Sequence, residues 1–238
     1  MVSLKFGMGE VSISNENKLI ESKVIEKIFD CLLFFDSRGI VDLFIKELDK
    51  KKLTYLIITR PKNLTIFATL YNFLKLNPKL KFRNLITNLG FVDCTPKKQK
   101  NIDDIVVQIE QFSNSNYSII EHENYELSHG SMELLKSIKY SKNYIKEINK
   151  VFNKKFYKCY FINTPIVSKD MKMNRKRPAS FFTQLYKTNE LINDLVTLNV
   201  EKNILIDIKD LHYTYDGVHY TKEGHEIIFN KIKESINL

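Results

Sequence analysis

Short apolar runs alternate along this chain with longer stretches whose apolar residues recur at helical spacing. Strand-length runs fall at residues 31–35, 53–58, 84–89, 157–162 and 203–208, rich in Leu, Ile, Phe or Tyr. Helical periods occupy 40–50, 64–76, 102–112, 131–152 and 182–198. A closing helix spans 222–236, with Ile227, Ile228, Ile232 and Ile236 on roughly one face. Such alternation predicts an α/β fold, a parallel sheet with helices on both faces. Each strand but the last leads into its helix through a short or medium turn, as right-handed crossovers require. Residues 114–129 (NSNYSIIEHENYELSH) are polar and irregular and read as a loop or small insertion. The first thirty residues fit the alternation poorly. They read as an extra strand or helix on the edge of one domain spanning 1–238.

In open α/β sheets, ligands collect at the carboxyl ends of the strands. Asp36-Ser37, the segment Arg60-Pro61-Lys62-Asn63, Gly90 to Asp93 and Asn163-Thr164-Pro165 all fall there. The turn Asp216-Gly217-Val218-His219 follows the last strand and reaches the same edge. A carboxylate three residues ahead of a histidine on a tight turn reaches the imidazole Nδ1–H, fixing the tautomer and stabilising the imidazolium. That pair calls for a nucleophile upstream, and Ser37 stands directly after the 31–35 run and Asp36. Taken alone, Ser37 reads as a helix N-cap and His219 as an ordinary loop histidine. Together the three make a nucleophile, a base and its orienting carboxylate.

With these residues laid out, the chain resembles the SGNH, or GDSL-type, hydrolase superfamily from about residue 31 to the end. The run DGVHYTKEGHEIIFNKI carries that family's Asp-Gly-x-His, its following Gly-His and the closing helix. Phe35-Asp36-Ser37 stands where the family has Gly-Asp-Ser, and Gly90-Phe91-Val92-Asp93 where it has Gly-x-Asn-Asp. The resemblance implies a three-layer, flavodoxin-like sandwich around a central five-stranded, mainly parallel sheet. It also implies that Ser37 is the nucleophile, His219 the general base and Asp216 its partner. The departures fall on the oxyanion hole: Val92 replaces a donating asparagine, Phe35 replaces a glycine, and residues 59–63 hold no equivalent of the block-two glycine. Loss of one such donor typically costs about 10²–10³-fold in rate. The Ser37 backbone N–H remains, and Asn63, Asn88, Gly90, Arg38 and Arg60 are the candidate substitutes. His225 is expected to pack at the start of the last helix. Asp36 and Asp93 are expected to tie their own turns through backbone N–H groups.

Composition narrows the function classes. With 43% hydrophobic and 12% aromatic residues, 238 residues can bury a real core. No apolar run reaches the roughly 18–20 residues of a membrane-spanning helix, and the N-terminus lacks a signal-peptide layout, so a cytoplasmic protein is expected. Cys31, Cys94 and Cys159 are far apart and lack metal-site spacing; they read as reduced and structural. No metal motif and no Gly-rich phosphate loop is present, so no metal or cofactor is expected. The formal charge of +9 reads as scattered surface lysine rather than a nucleic-acid interface.

The function expected is therefore a serine-dependent carboxylic ester hydrolase or O-acyl (acetyl) transferase working through an acyl-enzyme. The polar, basic rim (Arg38, Arg60, Lys62) and the lack of a lipid-binding segment favour a carbohydrate ester. If acyl coenzyme A is the donor, the basic run Lys172 to Arg177 is a candidate for its phosphates. The alternative is a degenerate SGNH-like binding module that kept the fold and lost its oxyanion hole. Acyl acceptor and oligomeric state are open at this stage.

Overall fold

The structure is a computed structural model that describes residues 2–6, 9–13, 28–36, 38, 41–59, 65–112, 117–126, 132–167 and 179–236. In chain order the strands are β1 (Val2–Phe6), β2 (Gly9–Ile13), β3 (Ile28–Phe34), β4 (Tyr55–Thr59), β5 (Lys81–Thr87), β6 (Tyr117–Glu126), β7 (Met132–Tyr140), β8 (Phe156–Ile162) and β9 (Asn203–Ile206). The helices are α1 (Val41–Lys50), α2 (Phe67–Leu76), α3 (Phe91–Cys94), α4 (Gln99–Glu110), α5 (Lys142–Lys155), α6 (Ala179–Thr197) and α7 (Lys222–Ile236). No helix among the described residues is long and apolar enough to cross a membrane.

The five strands anticipated from the apolar runs form a parallel sheet in the order β4-β3-β5-β8-β9. Numbered along the chain, that order is the flavodoxin-like 2-1-3-4-5, whose direction of growth reverses between β3 and β5. On the β4 edge, β1 and β2 add an antiparallel hairpin, with Leu4 opposite Ile58. Because successive side chains point to opposite faces, each central strand feeds two cores. Leu32, Phe34, Phe82 and Phe161 meet α2, α4, α5 and α6 through residues such as Leu70, Ile105, Ile148 and Leu195. Cys31, Leu33, Ile57 and Tyr160 meet α1 and α7 through Phe44, Leu48, Ile228 and Ile232. Helices thus cover both faces, and the near-continuous apolar reading of the strands follows from double burial.

One expected helix is wrong. Residues 131–152 are not one helix: β7 occupies the first part and pairs antiparallel with β6, which itself lies in the stretch read as an irregular loop. Leu134, Leu135 and Ile138 imitate helical spacing. In the structure Leu135, Ser137, Ile138 and Tyr140 are buried while Leu134 and Lys139 are exposed, so burial passes from one face of the strand to the other between Ser137 and Ile138. Ser141 then caps α5, its hydroxyl accepting from the Tyr144 N–H at 3.1 Å, and that cap sets where the helix begins.

Candidate active site

The site is built at the reversal point, where β3 and β5 lie side by side and their C-terminal ends diverge into different loops. Asp36 and Asn88, just past those two ends, hold each other reciprocally. The Asp36 N–H donates to Asn88 Oδ1 at 2.9 Å, and Asn88 Nδ2 donates to Asp36 Oδ1 at 2.8 Å. Asp36 also accepts from the Arg38 N–H at 2.8 Å, a local turn that spans the intervening residue. The Arg38 guanidinium folds back on the same carboxylate, with Nε within 3.0 Å of both oxygens and Nη2 at 2.8 Å from Oδ2. Arg38 Nη2 also donates to the Asn88 carbonyl, and the guanidinium lies 4.8 Å from the centroid of the Phe91 ring. Arg38 is only 2% exposed. The residues on either side of position 37 are therefore clamped to β5. Ser37 itself, Arg60, Asn63 and the run Lys172 to Arg177 lie outside the described residues.

Three of the oxyanion candidates prove to be structural braces. The Asn88 amide is 1% exposed and committed to Asp36. The Gly90 N–H donates to Asp93 Oδ2 at 3.0 Å. Arg38 turns its charge onto Asp36. Asp93 does what its place in the sequence suggested, on a wider scale. Buried, it accepts from the Phe67 N–H at 2.9 Å, the Tyr140 hydroxyl at 2.7 Å and the Gly90 N–H. It thereby ties the start of α2, the end of β7 and the α3 turn together. Burial raises its pKa, and these hydrogen bonds with nearby Lys97 work against that rise.

On the other side of the rim, Asp216 holds His219 through both carboxylate oxygens. Oδ1 accepts from the backbone N–H of Val218 at 3.1 Å and of His219 at 2.8 Å, while Oδ2 lies 2.9 Å from His219 Nδ1. A carboxylate only accepts, so in the neutral ring the proton sits on Nδ1 and the lone pair on Nε2. Gly217, at φ 81°, supplies the left-handed step that closes this turn. Asp216 is 4% exposed and the His219 side chain 32%, which leaves the ring accessible over a buried support. Tyr215, itself exposed, stacks on His219 at 5.6 Å with the planes 16° apart.

Two neighbours bind this turn to the rim, one at the end of β8 and one at the β3 loop. Tyr220 is buried, and its hydroxyl donates to the Asn163 carbonyl at 2.6 Å. Its pKa is pushed up to about 12, chiefly by burial; Arg38 lowers it and Asp36 raises it, so the two charges lie within reach of the phenol. His225, at the start of α7, hydrogen-bonds the Arg38 backbone through its ring and lies 5.9 Å from the Tyr220 ring. Burial lowers the His225 pKa, and that hydrogen bond opposes it. Segment 216–225 therefore rests directly on the residue that follows Ser37. Sequence reasoning missed this role of His225, although its place six residues beyond His219, in the first turn of the closing helix, was visible.

The three cysteines are buried and unpaired, with burial raising the thiol pKa of Cys31 and Cys94 to about 12. Among the described residues no group of His, Cys, Asp or Glu is arranged to hold a metal ion. Compared with known proteins, the chain matches no family model and no curated protein.

Proposed function

We propose that this chain is a serine-dependent ester hydrolase or O-acyl transferase of the SGNH type, acting on a polar, carbohydrate-like ester. The observation that carries the reading is the double hold of Asp216 on His219, in a turn seated against Arg38 at the reversal point of the sheet. In this mechanism Ser37 Oγ attacks the acyl carbonyl carbon and His219 Nε2 takes the hydroxyl proton. Asp216 keeps the ring in the required tautomer and stabilises the imidazolium. Collapse of the tetrahedral intermediate expels the alcohol, which leaves with the proton from His219. Water or a sugar hydroxyl then gives its proton to His219 and attacks the acyl-enzyme, and the imidazolium returns that proton to Ser37 Oγ as it leaves. Developing negative charge on the carbonyl oxygen is met by the Ser37 N–H together with donors of the 60–64 segment. If acyl coenzyme A is the donor, the cationic run from Lys172 to Arg177 meets its phosphates.

A second reading, a binding module on the same fold, draws on the commitment of Asn88, Gly90 and Arg38 to structural roles. The deciding experiment is a burst assay with p-nitrophenyl acetate on the full chain, Ser37→Ala and His219→Ala. Saturable nitrophenol release that both substitutions abolish supports the triad. Release that survives Ser37→Ala refutes it, and equal inertness of three folded proteins favours the binding module.

A further inference from the structure

A groove of about 370 Å³ opens beside the candidate site, between α6 and the C-terminal ends of β8 and β9. Its polar wall is built of amides. Asn189 Oδ1 accepts from the Thr164 N–H and hydroxyl, both at 3.0 Å, and its Nδ2 donates to the Thr164 carbonyl at 2.8 Å. Asn163 donates to Asp207 Oδ1 at 2.6 Å and accepts from the Ile208 N–H at 2.7 Å. These bonds fix the wall and leave capacity over: one N–H on each of Asn163 and Asn189, and lone pairs on Asp207. Asn193 lies one turn along α6 from Asn189, on the same helix face, and also lines the groove. Among the described residues nothing bonds its side-chain amide. Leu205 and the half-exposed Ile166 give the groove an apolar side.

We infer that this groove is the subsite for a neutral polyhydroxylated unit, of monosaccharide size, on the alcohol side of the ester. Naming it the alcohol side rests on the proposed esterase or acyltransferase reading. The described lining argues against other classes. Among the described lining residues the one cation, Lys209, lies 3.4 Å from Asp207, so together they offer no net charge to a phosphate. Among the described residues no lining side chain is aromatic, so they offer a nucleobase nothing to stack on. Mixed donors and acceptors beside a larger apolar wall suit hydroxyls on one side of a ring and C–H groups on the other. The volume stands near the lower end of the roughly 300–1,000 Å³ of small-molecule sites, which limits the occupant to one small unit. Reach is also right. β8 lies two strands from β3, about 10 Å away at the usual strand spacing, so a sugar here presents an ester at the Ser37 loop. The Tyr220 hydroxyl on the Asn163 carbonyl links the groove wall to the His219 turn.

The test is an amide-resolved NMR titration of the full chain with three probes: methyl α-D-glucopyranoside, methyl β-D-galactopyranoside and the methyl glycoside of N-acetylglucosamine. At least one is expected to give saturable shifts centred on Thr164, Asn189, Asn193 and Lys209, with a dissociation constant in the millimolar range. Binding is expected to persist in Ser37→Ala and to weaken roughly tenfold or more in Asn193→Leu. No saturable shift with any probe, shifts centred elsewhere, or unchanged affinity in a folded Asn193→Leu overturns the assignment. Should Asn193→Leu fail to fold, Asn193→Ala replaces it, and the shift map of the unmodified chain decides in either case. A chain that binds a glycoside here yet releases no nitrophenol retains the subsite and loses the esterase reading. One that hydrolyses p-nitrophenyl acetate and binds none of the glycosides does the reverse.

Discussion

Asp216 grips His219 twice, once at the backbone N–H and once at ring Nδ1, at 2.8 and 2.9 Å. One side chain therefore both closes the turn and sets the tautomer. The two tasks separate in Asp216→Asn. Its Oδ1 still accepts from the backbone, so the turn and the melting temperature are expected to hold nearly unchanged. The amide then faces Nδ1 with an N–H, which forces the ring proton to Nε2 and removes the base. Turnover of p-nitrophenyl acetate is expected to fall by about 10³–10⁴-fold. Asp216→Ala removes both tasks and is expected to lower stability as well. A folded Asp216→Asn of undiminished activity contradicts the tautomer role.

The Arg38–Asp36 pair is buried at 1% and 2% side-chain exposure, and among the described residues Arg38 Nη1 has no hydrogen-bond partner. Breaking such a pair leaves an uncompensated charge in the interior, which costs about 3–5 kcal/mol, whereas removing both partners costs far less. Arg38→Leu is therefore expected to destabilise by that amount in urea unfolding. Asp36→Asn keeps an acceptor for the Arg38 N–H yet strands the guanidinium, with a cost of similar size. Combined, the two substitutions are expected to cost clearly less than the sum, a coupling on the order of 1–3 kcal/mol. Additive losses mean that the ion pair contributes nothing beyond packing.

Lys97 gives the protein a signature at alkaline pH. It is 5% exposed, donates to the Val92 carbonyl and, at 2.8 Å, to that of Thr95, and lies near Asp93 and Cys94. Burial lowers its pKa from 10.5 to about 8, with Asp93 opposing the shift. Below pH 8 both folded and unfolded chains carry the proton, and its burial penalty, about 3 kcal/mol, is fully present. Between pH 8 and 10.5 the folded amine is neutral and the unfolded one charged, so unfolding takes up a proton and this contribution to stability rises with pH. A neutral amine still has two N–H groups for its two carbonyls. Lys97→Met lacks the ionisation. The stability difference between the two proteins is expected to move in favour of Lys97 across that window, and urea midpoints at neutral and alkaline pH measure it. A difference independent of pH means that Lys97 keeps its ordinary pKa.

Much of the fold was legible because it rests on local pattern. The parallel strands are buried on both faces and read as short apolar runs, and the closing helix coincides with its periodicity at residues 222–236. The β6–β7 hairpin was hidden because Leu134, Leu135 and Ile138 carry spacing compatible with a helix. The pairing that decides the matter links Tyr117 to Tyr140, which no local window contains. The candidate site divides the same way. Asp216 and His219 are three residues apart, so sequence alone brought them together. Asn88 has donors enough for an oxyanion, and only the long-range bonds to Asp36, 52 residues away, reveal that its amide is buried against that carboxylate. Arg38 misled for the same reason: a basic residue beside a serine suggests a ligand, while its partner is a buried carboxylate.

Gly224 is the one residue of the Gly-His pair whose identity follows from contact distance alone. A Cβ built at this position would lie 2.3 Å from the Tyr213 carbonyl oxygen and 2.7 Å from the Tyr213 Cβ. That carbonyl already accepts from the Thr221 N–H at 2.8 Å, and the Thr221 hydroxyl accepts from the Gly224 N–H at 3.1 Å, so the backbone has no slack on either side. Gly224→Ala must push the first turn of α7 away from residues 211–213. The next residue, His225, hydrogen-bonds the Arg38 backbone, and the turn before it carries His219. The displacement therefore reaches both sides of the candidate site. Gly224→Ala is expected to cost about 1–3 kcal/mol of stability, as overpacking does. Below its melting temperature it is also expected to lower kcat for p-nitrophenyl acetate at least tenfold, the scale on which a misplacement of about 1 Å acts. Glu223→Ala, on the exposed side of the same helical turn, is expected to change neither quantity. Equal behaviour of the two variants means that the close approach of α7 to Tyr213 does not position the site.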